Sequence, residues 1–367
     1  FFPIMSACVI SELKGVKMNK KPNILLLIDD EHRADLLRIE GNKTVRTPNL
    51  DQVIDDGTYF RNAYTPSPIC VPARQSFLSG LYPRNCHCLD FGQAMPSDIL
   101  TIPQHLSDCG YYTVAAGKMH FSGPDQMHGW NERIGRGIKG RTGFKPVKTK
   151  IEIEKPVPGT GKWSTAEEIK NARAGDGYWM QHDRYSVDGA LQFLEEYFTG
   201  KFYYDSANTP LLLAVSLVCP HYPYQCPPDL FSYYLRRTLP YVETLPDLFD
   251  CHEFFKVEVG RDVSFRQAHR ATAAYYGMIE WVDQEFGRVI KKLRDLTVLD
   301  DFAIIFLSDH GEMLGQKGLW EKQQFFEASV RVPFSISLPR HTADFKPVVR
   351  DNVSLVDLFP TMCSIAD

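Results

Sequence analysis

The sequence predicts an α/β fold in which a large, mostly parallel sheet is sandwiched by helices, and three observations carry that expectation. Four short apolar runs have the length and composition of strands buried on both faces. Amphipathic helical patterns lie between them, the alternation that a parallel sheet with crossover helices requires. Each run gives way at its C-terminal end to polar and charged residues. Ligands bind at that rim in sheets of this kind.

The first strand is Ile24 to Ile28, followed by Asp29 and Asp30. A short helix is expected over Pro72 to Ser79: Pro72 has its φ preset for a first turn, and Gly80 can close the helix in a left-handed cap. The second strand, Tyr112 to Ala116, leads into Gly117-Lys118-Met119-His120. The third, Leu211 to Val218, leads into Cys219-Pro220-His221, and the fourth, Phe302 to Leu307, into Ser308-Asp309-His310-Gly311. The clearest helix runs from His269 to Leu296, where Tyr276, Ile279, Val282, Phe286, Val289, Ile290 and Leu293 trace one face. Residues 135–176, rich in Gly, Lys and Pro, read as an insertion near the site. The proline-rich, aromatic segment 223–262 is expected to border the pocket, and Ser354 to Asp367 resembles a helix.

Composition narrows the function. A chain of 367 residues can form one large α/β domain, and its net charge of −4 gives no reason to expect nucleic acid. Nine cysteines without regular spacing indicate neither a disulfide framework nor a zinc ribbon. No run approaches the roughly 20 apolar residues of a membrane span. Phe1 to Lys17 lack the basic start and long apolar run of a signal peptide, and Met18 to Pro22 read as a natural start. A cytoplasmic protein with an N-terminal extension over residues 1–21 is therefore expected.

Four strand ends thus deliver carboxylates, a lysine and histidines to one rim. Adjacent Asp29 and Asp30, joined by Asp309, suit a hard divalent cation, to which His310 could add a nitrogen. Lys118 and His120 alternate along an extended segment and can face one side, as anion binding with proton transfer requires. His221 stands between Pro220 and Pro223, held as a general acid must be. Lys322 in Gly318-Leu319-Trp320-Glu321-Lys322 reads, on physics alone, as a solvated surface charge. The most informative run is Pro68-Ile69-Cys70-Val71-Pro72-Ala73-Arg74, which puts Cys70 at a helix start and Arg74 one turn on. Free amides, the dipole and a forked guanidinium suit an anion there. Cys70 itself is open to three readings: a buried structural residue, a thiol of lowered pKa, or part of an anion site.

These motifs resemble the type I sulfatases. The similarity runs through Pro22-Asn23-Ile24, Thr47-Pro48-Asn49-Leu50-Asp51, Cys70 to Gly80, Gly117 to His120, Pro220-His221-Tyr222-Pro223, Ser308 to Glu312, Leu319 to Lys322 and Glu327 to Pro333, in the family's order. The resemblance implies an alkaline-phosphatase-like fold with a catalytic domain over residues 22–367 and a smaller C-terminal subdomain, most of it beyond residue 367. It implies formylglycine made from Cys70 by a separate sulfatase-maturing enzyme. It also implies one Ca²⁺ per chain, held by Asp29, Asp30, Asp309 and His310 with the modified Cys70. Many members carry asparagine where this chain has His310. The implied chemistry has a hydroxyl of the hydrated aldehyde, assisted by Asp309, attack sulfur while Arg74, Lys118 and Lys322 neutralise the sulfate oxygens. His221 would protonate the leaving alcohol, and His120 would accept the proton whose loss expels sulfate.

The block from Gly117 to Gly129 is notably similar to choline sulfatases and nearby bacterial sulfatases. Trp130, Trp163, Trp179 and Tyr178 are candidate walls of a quaternary-ammonium cage. A sulfated small molecule and a sulfated carbohydrate are both expected substrates. A phosphodiester or phosphonate monoester hydrolase of the same superfamily is the alternative activity, and a non-catalytic sulfate-binding descendant is a third reading. Neither nucleic acid nor membrane is an expected partner, and homo-oligomerisation stays open.

Overall fold

The computed structural model describes residues 21–135, 166–202, 205–206, 208–241, 263–339 and 347–366. Its centre is an eight-stranded sheet in the order β10-β2-β9-β8-β1-β6-β3-β4. The strands are β1 (Asn23–Asp29), β2 (Thr58–Tyr64), β3 (Tyr112–Gly117), β4 (Glu132–Ile134), β6 (Leu211–Ser216), β8 (Phe302–Ser308), β9 (Phe334–Ser337) and β10 (Val348–Ser354). All neighbours pair in parallel except β9, which runs antiparallel to both β8 and β2. The fold is therefore the mostly parallel α/β sandwich that the four apolar runs predict.

Register explains why the chemistry converges. Asp29 lies opposite Ser308, Ile28 opposite Ser216, and Ser216 opposite Gly117, so β8, β1, β6 and β3 end at one level. Gly117 is required there. It has φ of 91° and lies so close to β6 that a Cβ would come within 2.1 Å of the Ser216 carbonyl. The same carbonyl accepts the Lys118 amide at 2.8 Å, which turns the chain toward the rim.

The sheet is covered on both faces, and strand alternation decides which residue meets which layer. Leu25 and Leu27 of β1 pack into the core beneath the helices Tyr178–Phe198 and Phe265–Asp295. Ile24, Leu26 and Ile28 pack into the core beneath the helices Cys70–Ser79, Ile102–Asp108 and Leu358–Ala366. The long helix starts four residues before the apolar pattern that announced it, because Ser264 and Gln267 form a capping box ahead of it.

Two segments expected to be irregular carry structure. Of residues 135–176, Ala166–Lys170 is helical and Arg173–Ala174 forms β5, while 136–165 lie outside the described residues. β5 pairs in parallel with β7 (Gln225–Cys226), and a helix follows at Pro228–Leu235, so part of segment 223–262 is ordered by pairing. Residues 242–262 and 1–20 are outside the described residues. No described helix is long and apolar enough to cross a membrane.

Candidate active site

The site begins with the helix Cys70–Ser79, every residue of which is buried and whose end is closed by Gly80 at φ of 68°. Cys70 is its first residue and is 0% exposed. Its thiol donates to Asp30 Oδ1 at 3.8 Å, and its sulfur lies 3.1 Å from His310 Nε2. Burial pushes that thiol up to about 11, and Asp30 adds to the effect. A thiolate nucleophile of lowered pKa is thereby disfavoured.

Arg74 spans the rim with its whole fork. Nε donates to Asp309 Oδ2 at 2.6 Å, Nη1 to the Lys118 carbonyl at 2.7 Å and the Ser216 hydroxyl at 2.8 Å, and Nη2 to Asp30 Oδ2 at 3.1 Å. The Lys118 ammonium also donates to Asp30 Oδ2. Although burial opposes ionisation, Lys118, His221 and Arg74 hold the Asp30 carboxyl well below the usual carboxylate range. Burial instead raises Asp309. Two carboxyls just past the ends of neighbouring strands thus shift in opposite directions, Asp30 toward its ionised form under its three cations and Asp309 upward with burial.

Asp30 Oδ1, Cys70 Sγ, an Asp309 oxygen and a His310 nitrogen form a buried set of donors within 4.8 Å of one another. His310 Nε2 is 3.8 Å from Asp30 Oδ1 and 3.7 Å from Asp309 Oδ1. That is the spacing of atoms sharing an ion at the roughly 2.3–2.6 Å of hard-cation coordination. His310 Nδ1 donates to the Gly311 carbonyl at 3.1 Å, which turns the lone pair of a neutral ring onto the cluster. Burial lowers the His310 pKa and so favours that neutral form.

Asp29 does not join this set. Alternation along β1 sends Asp30 to the Ile28 face, toward the helix of Cys70, and Asp29 to the Leu27 face. There Asp29 Oδ2 meets His32 Nδ1 at 2.6 Å, and its Oδ1 is buried without a hydrogen bond. Beside them stands Glu31, which motif reading passed over. Glu31 sits at φ of 70°, its amide donates to Asp309 Oδ1 at 3.3 Å, and the Tyr275 hydroxyl holds its carbonyl. Its carboxylate forms a second close group with Asp30 and His221.

Lys322 overturns the expectation of a surface charge. It is buried, donates to Glu31 Oε2 at 2.8 Å and to His221 Nε2, and lies over the Tyr222 ring at 4.7 Å. Burial opposes its charge, but Cys70 and Glu31 hold its pKa well above the ordinary value. His221 Nδ1 donates to the Tyr222 carbonyl at 2.7 Å, which leaves Nε2 to face Lys322. Burial, with Lys322 second, keeps its pKa well below the usual histidine range. His120 stands at the rim, partly exposed at φ of 59°, with its ring 6.2 Å from that of Phe91.

The expected aromatic cage is not assembled from the described residues. Trp130 is buried in the core on the Cys70 side of the sheet, whereas Trp179 packs on the other side against Tyr178 and His182. Trp163 lies outside the described residues.

A cysteine at a helix start, amid buried cations and a cluster of oxygen and nitrogen donors, matches what the motif order implies. Comparison with known proteins decides the family: the sulfatase sequence model matches residues 22–367. The chain belongs to the sulfatase family. This sulfatase is 32% identical over 357 residues to a choline-sulfatase of Rhizobium meliloti (strain 1021), covering 94% of this chain and 68% of the relative. It is 28% identical to an arylsulfatase of Clostridium perfringens, covering 94% of this chain and 75% of that one. A phosphonate monoester hydrolase of Agrobacterium radiobacter has a similar fold, with a TM-score of 0.70 at 22% identity over 93% of this chain and 73% of that one. The sulfatase therefore has the alkaline-phosphatase-like fold and is a sulfuric ester hydrolase.

Proposed function

We propose that this sulfatase cleaves the sulfate ester of a small molecule or carbohydrate with formylglycine made from Cys70, and that it works with one Ca²⁺ per chain. The observation that carries the reading is the placement of Cys70. A fully buried thiol raised to about 11, aimed at a ligand cluster, is poorly suited to attack as sulfur and well placed as a precursor. A separate maturing enzyme would supply the aldehyde, whose hydrate offers two hydroxyls on one carbon.

Asp30, Asp309 and His310, with the Cys70-derived group, would hold the cation. When bound it would withdraw charge from the oxygens it touches. Three buried cations, Arg74, Lys118 and Lys322, are paired with three carboxylates, Asp30, Asp309 and Glu31. The protein alone is near balance there, so an added divalent ion leaves the pocket positive for a sulfate ester.

In this reading Asp309, the carboxylate raised by burial, takes the proton of the attacking hydroxyl. Arg74, Lys118 and Lys322, all buried, bind the sulfate oxygens, where low local dielectric makes such contacts strong. His221, its Nδ1 fixed on the Tyr222 carbonyl, turns Nε2 to the pocket and protonates the departing alcohol oxygen from that atom. His120, at the rim, accepts the proton that lets sulfate leave.

The test is mass spectrometry of the peptide spanning Cys70, from protein made with a maturing enzyme, together with turnover of an aryl sulfate. Conversion of Cys70 and turnover lost in Cys70→Ala are expected. Full turnover by protein whose Cys70 is still a thiol would overturn the reading. Assay of an aryl phosphonate and a phosphate diester alongside separates the sulfatase from a phosphonate hydrolase.

A further inference from the structure

A buried carboxylate outside the ligand cluster accepts the first amides of the loop that carries His221. We propose that Asp183 is a positioning residue for His221, acting through the backbone of Val218 and Cys219. The proposal rests on the reading that His221 serves the leaving alcohol.

Asp183 lies in the helix Tyr178–Phe198 and is 0% exposed. The ladder between β1 and β6 ends when the Leu217 amide donates to the Ile28 carbonyl at 2.8 Å. The next two amides have passed the end of the sheet and need acceptors, since a buried N–H left unpaired is costly. Asp183 provides them. The Val218 amide donates to both carboxylate oxygens at 2.9 Å, and the Cys219 amide donates to Oδ2 at 2.8 Å. His182 Nδ1 completes the set, 3.1 Å from Oδ1.

The chain then folds back on the peptide that Asp183 has fixed. The His221 amide donates to the Val218 carbonyl at 3.0 Å. One backbone turn therefore connects the carboxylate to the imidazole, whose Nε2 faces Lys322. Bonds from amides to an ionised acceptor are among the stronger hydrogen bonds. Their two oxygens fix both the height and the direction of the loop as it leaves β6. Misplacement of a proton donor by about 1 Å can cost on the order of 10²-fold in rate. A carboxylate here is thus suited to holding His221 against the leaving oxygen.

The test compares Asp183→Asn and His221→Ala, each matured with a maturing enzyme, on two esters. One is a nitrophenyl sulfate, whose leaving group needs little protonation, and the other an alkyl sulfate, whose leaving group needs a proton. Asp183→Asn keeps one acceptor oxygen but turns donors toward the two amides. Its kcat is expected to fall about tenfold or more on the alkyl ester and less than about threefold on the nitrophenyl ester, with KM little changed. Asp183→Ser, smaller and still an acceptor, serves as the second variant, and turnover of the nitrophenyl ester reports that each variant is folded. Equal losses on both esters, or no loss where His221→Ala shows a selective one, would overturn the role of Asp183. If His221→Ala shows no selectivity, the assignment of His221 fails and this proposal falls with it.

Discussion

Glu31 and Lys322 lie 291 residues apart in the chain and share a buried ion pair of 2.8 Å beside Cys70. The lysine leans on His221 and the carboxylate sits next to Asp30, so this pair couples the proton-transfer side of the pocket to the ligand side. Burial already raises the Glu31 carboxyl well above the usual carboxylate range, and Lys322→Ala would leave it buried without the cation that opposes that rise. A loss of about 3–5 kcal/mol is expected from urea unfolding, with turnover falling on the order of 10²–10³-fold. The double variant Glu31→Leu/Lys322→Leu should recover much of the stability and none of the activity. If the double variant is no more stable than the single one, the pair is not what the fold depends on at this position.

Arg74 makes four hydrogen bonds in one plane, to Asp309, Asp30, Ser216 and Lys118. Lysine can keep the charge but not the fork. Arg74→Lys should lower kcat/KM for a nitrophenyl sulfate by roughly 10²-fold or more. A variant within about threefold of the parent would show that charge alone suffices.

Cys70 is 0% exposed, as is its neighbour Val71. A maturing enzyme should therefore convert a synthetic peptide spanning residues 66–80, or the nascent chain, and fail on the folded protein. Incubating folded, unmatured protein with that enzyme and following the Cys70 peptide by mass spectrometry checks this. Conversion at a rate matching the free peptide would count against a closed site.

The donor set of Asp30, Asp309 and His310 should bind a divalent cation in the folded state only. Dialysis against a chelator is expected to lower the thermal midpoint, and Ca²⁺ to restore it, with about 2.7 kcal/mol gained at a concentration a hundredfold above Kd. His310→Ala should shift that restoration to higher Ca²⁺. An unchanged midpoint through the whole series would argue that Arg74 and Lys118 alone close the cluster.

Asp283 provides a pH test remote from the pocket. Its carboxylate accepts the amides of Asn49 and Leu50 at the start of the helix Pro48–Asp55, while burial raises its pKa to about 6. A folded pKa above the unfolded one means that the folded state binds more protons, so this group costs stability as pH rises from about 4 to about 6. Urea midpoints of the parent relative to Asp283→Asn should fall across that window and level off above it. A constant difference between the two proteins would contradict the shift.

How much of this was legible follows from the range of each force. The four strands buried on both faces announced themselves as continuous apolar runs, and so did the residues that follow them. β2, β9 and β10 did not: Thr58–Tyr64 mixes buried with half-buried positions, Val348–Ser354 mixes buried with exposed ones, and β10 acquires its place by pairing with β2 nearly 290 residues away. A motif records that Asp29 and Asp30 are adjacent, but not that Asp29 Oδ2 meets His32 while its Oδ1 is buried without a hydrogen bond. The β1 pleat separates them, and the turn at Glu31 brings a different carboxylate to the pocket.

Local pattern is enough to specify the mostly parallel α/β sheet, the rim at its strand ends, the helix that opens on Cys70, and the place of Arg74 one turn on. Those features depend on periodicity, on Pro72 and Gly80, and on spacing within a few residues, all of which are local. Long-range packing settles that Asp30 meets Cys70 while Asp29 Oδ2 meets His32, that Lys322 is buried rather than solvated, and that Asp183 accepts the amides at the start of the His221 loop. Each of those outcomes depends on which side chain from a distant strand or helix reaches a buried charge first. Burial makes an unpaired charge costly, so the fold selects partners that no local pattern names.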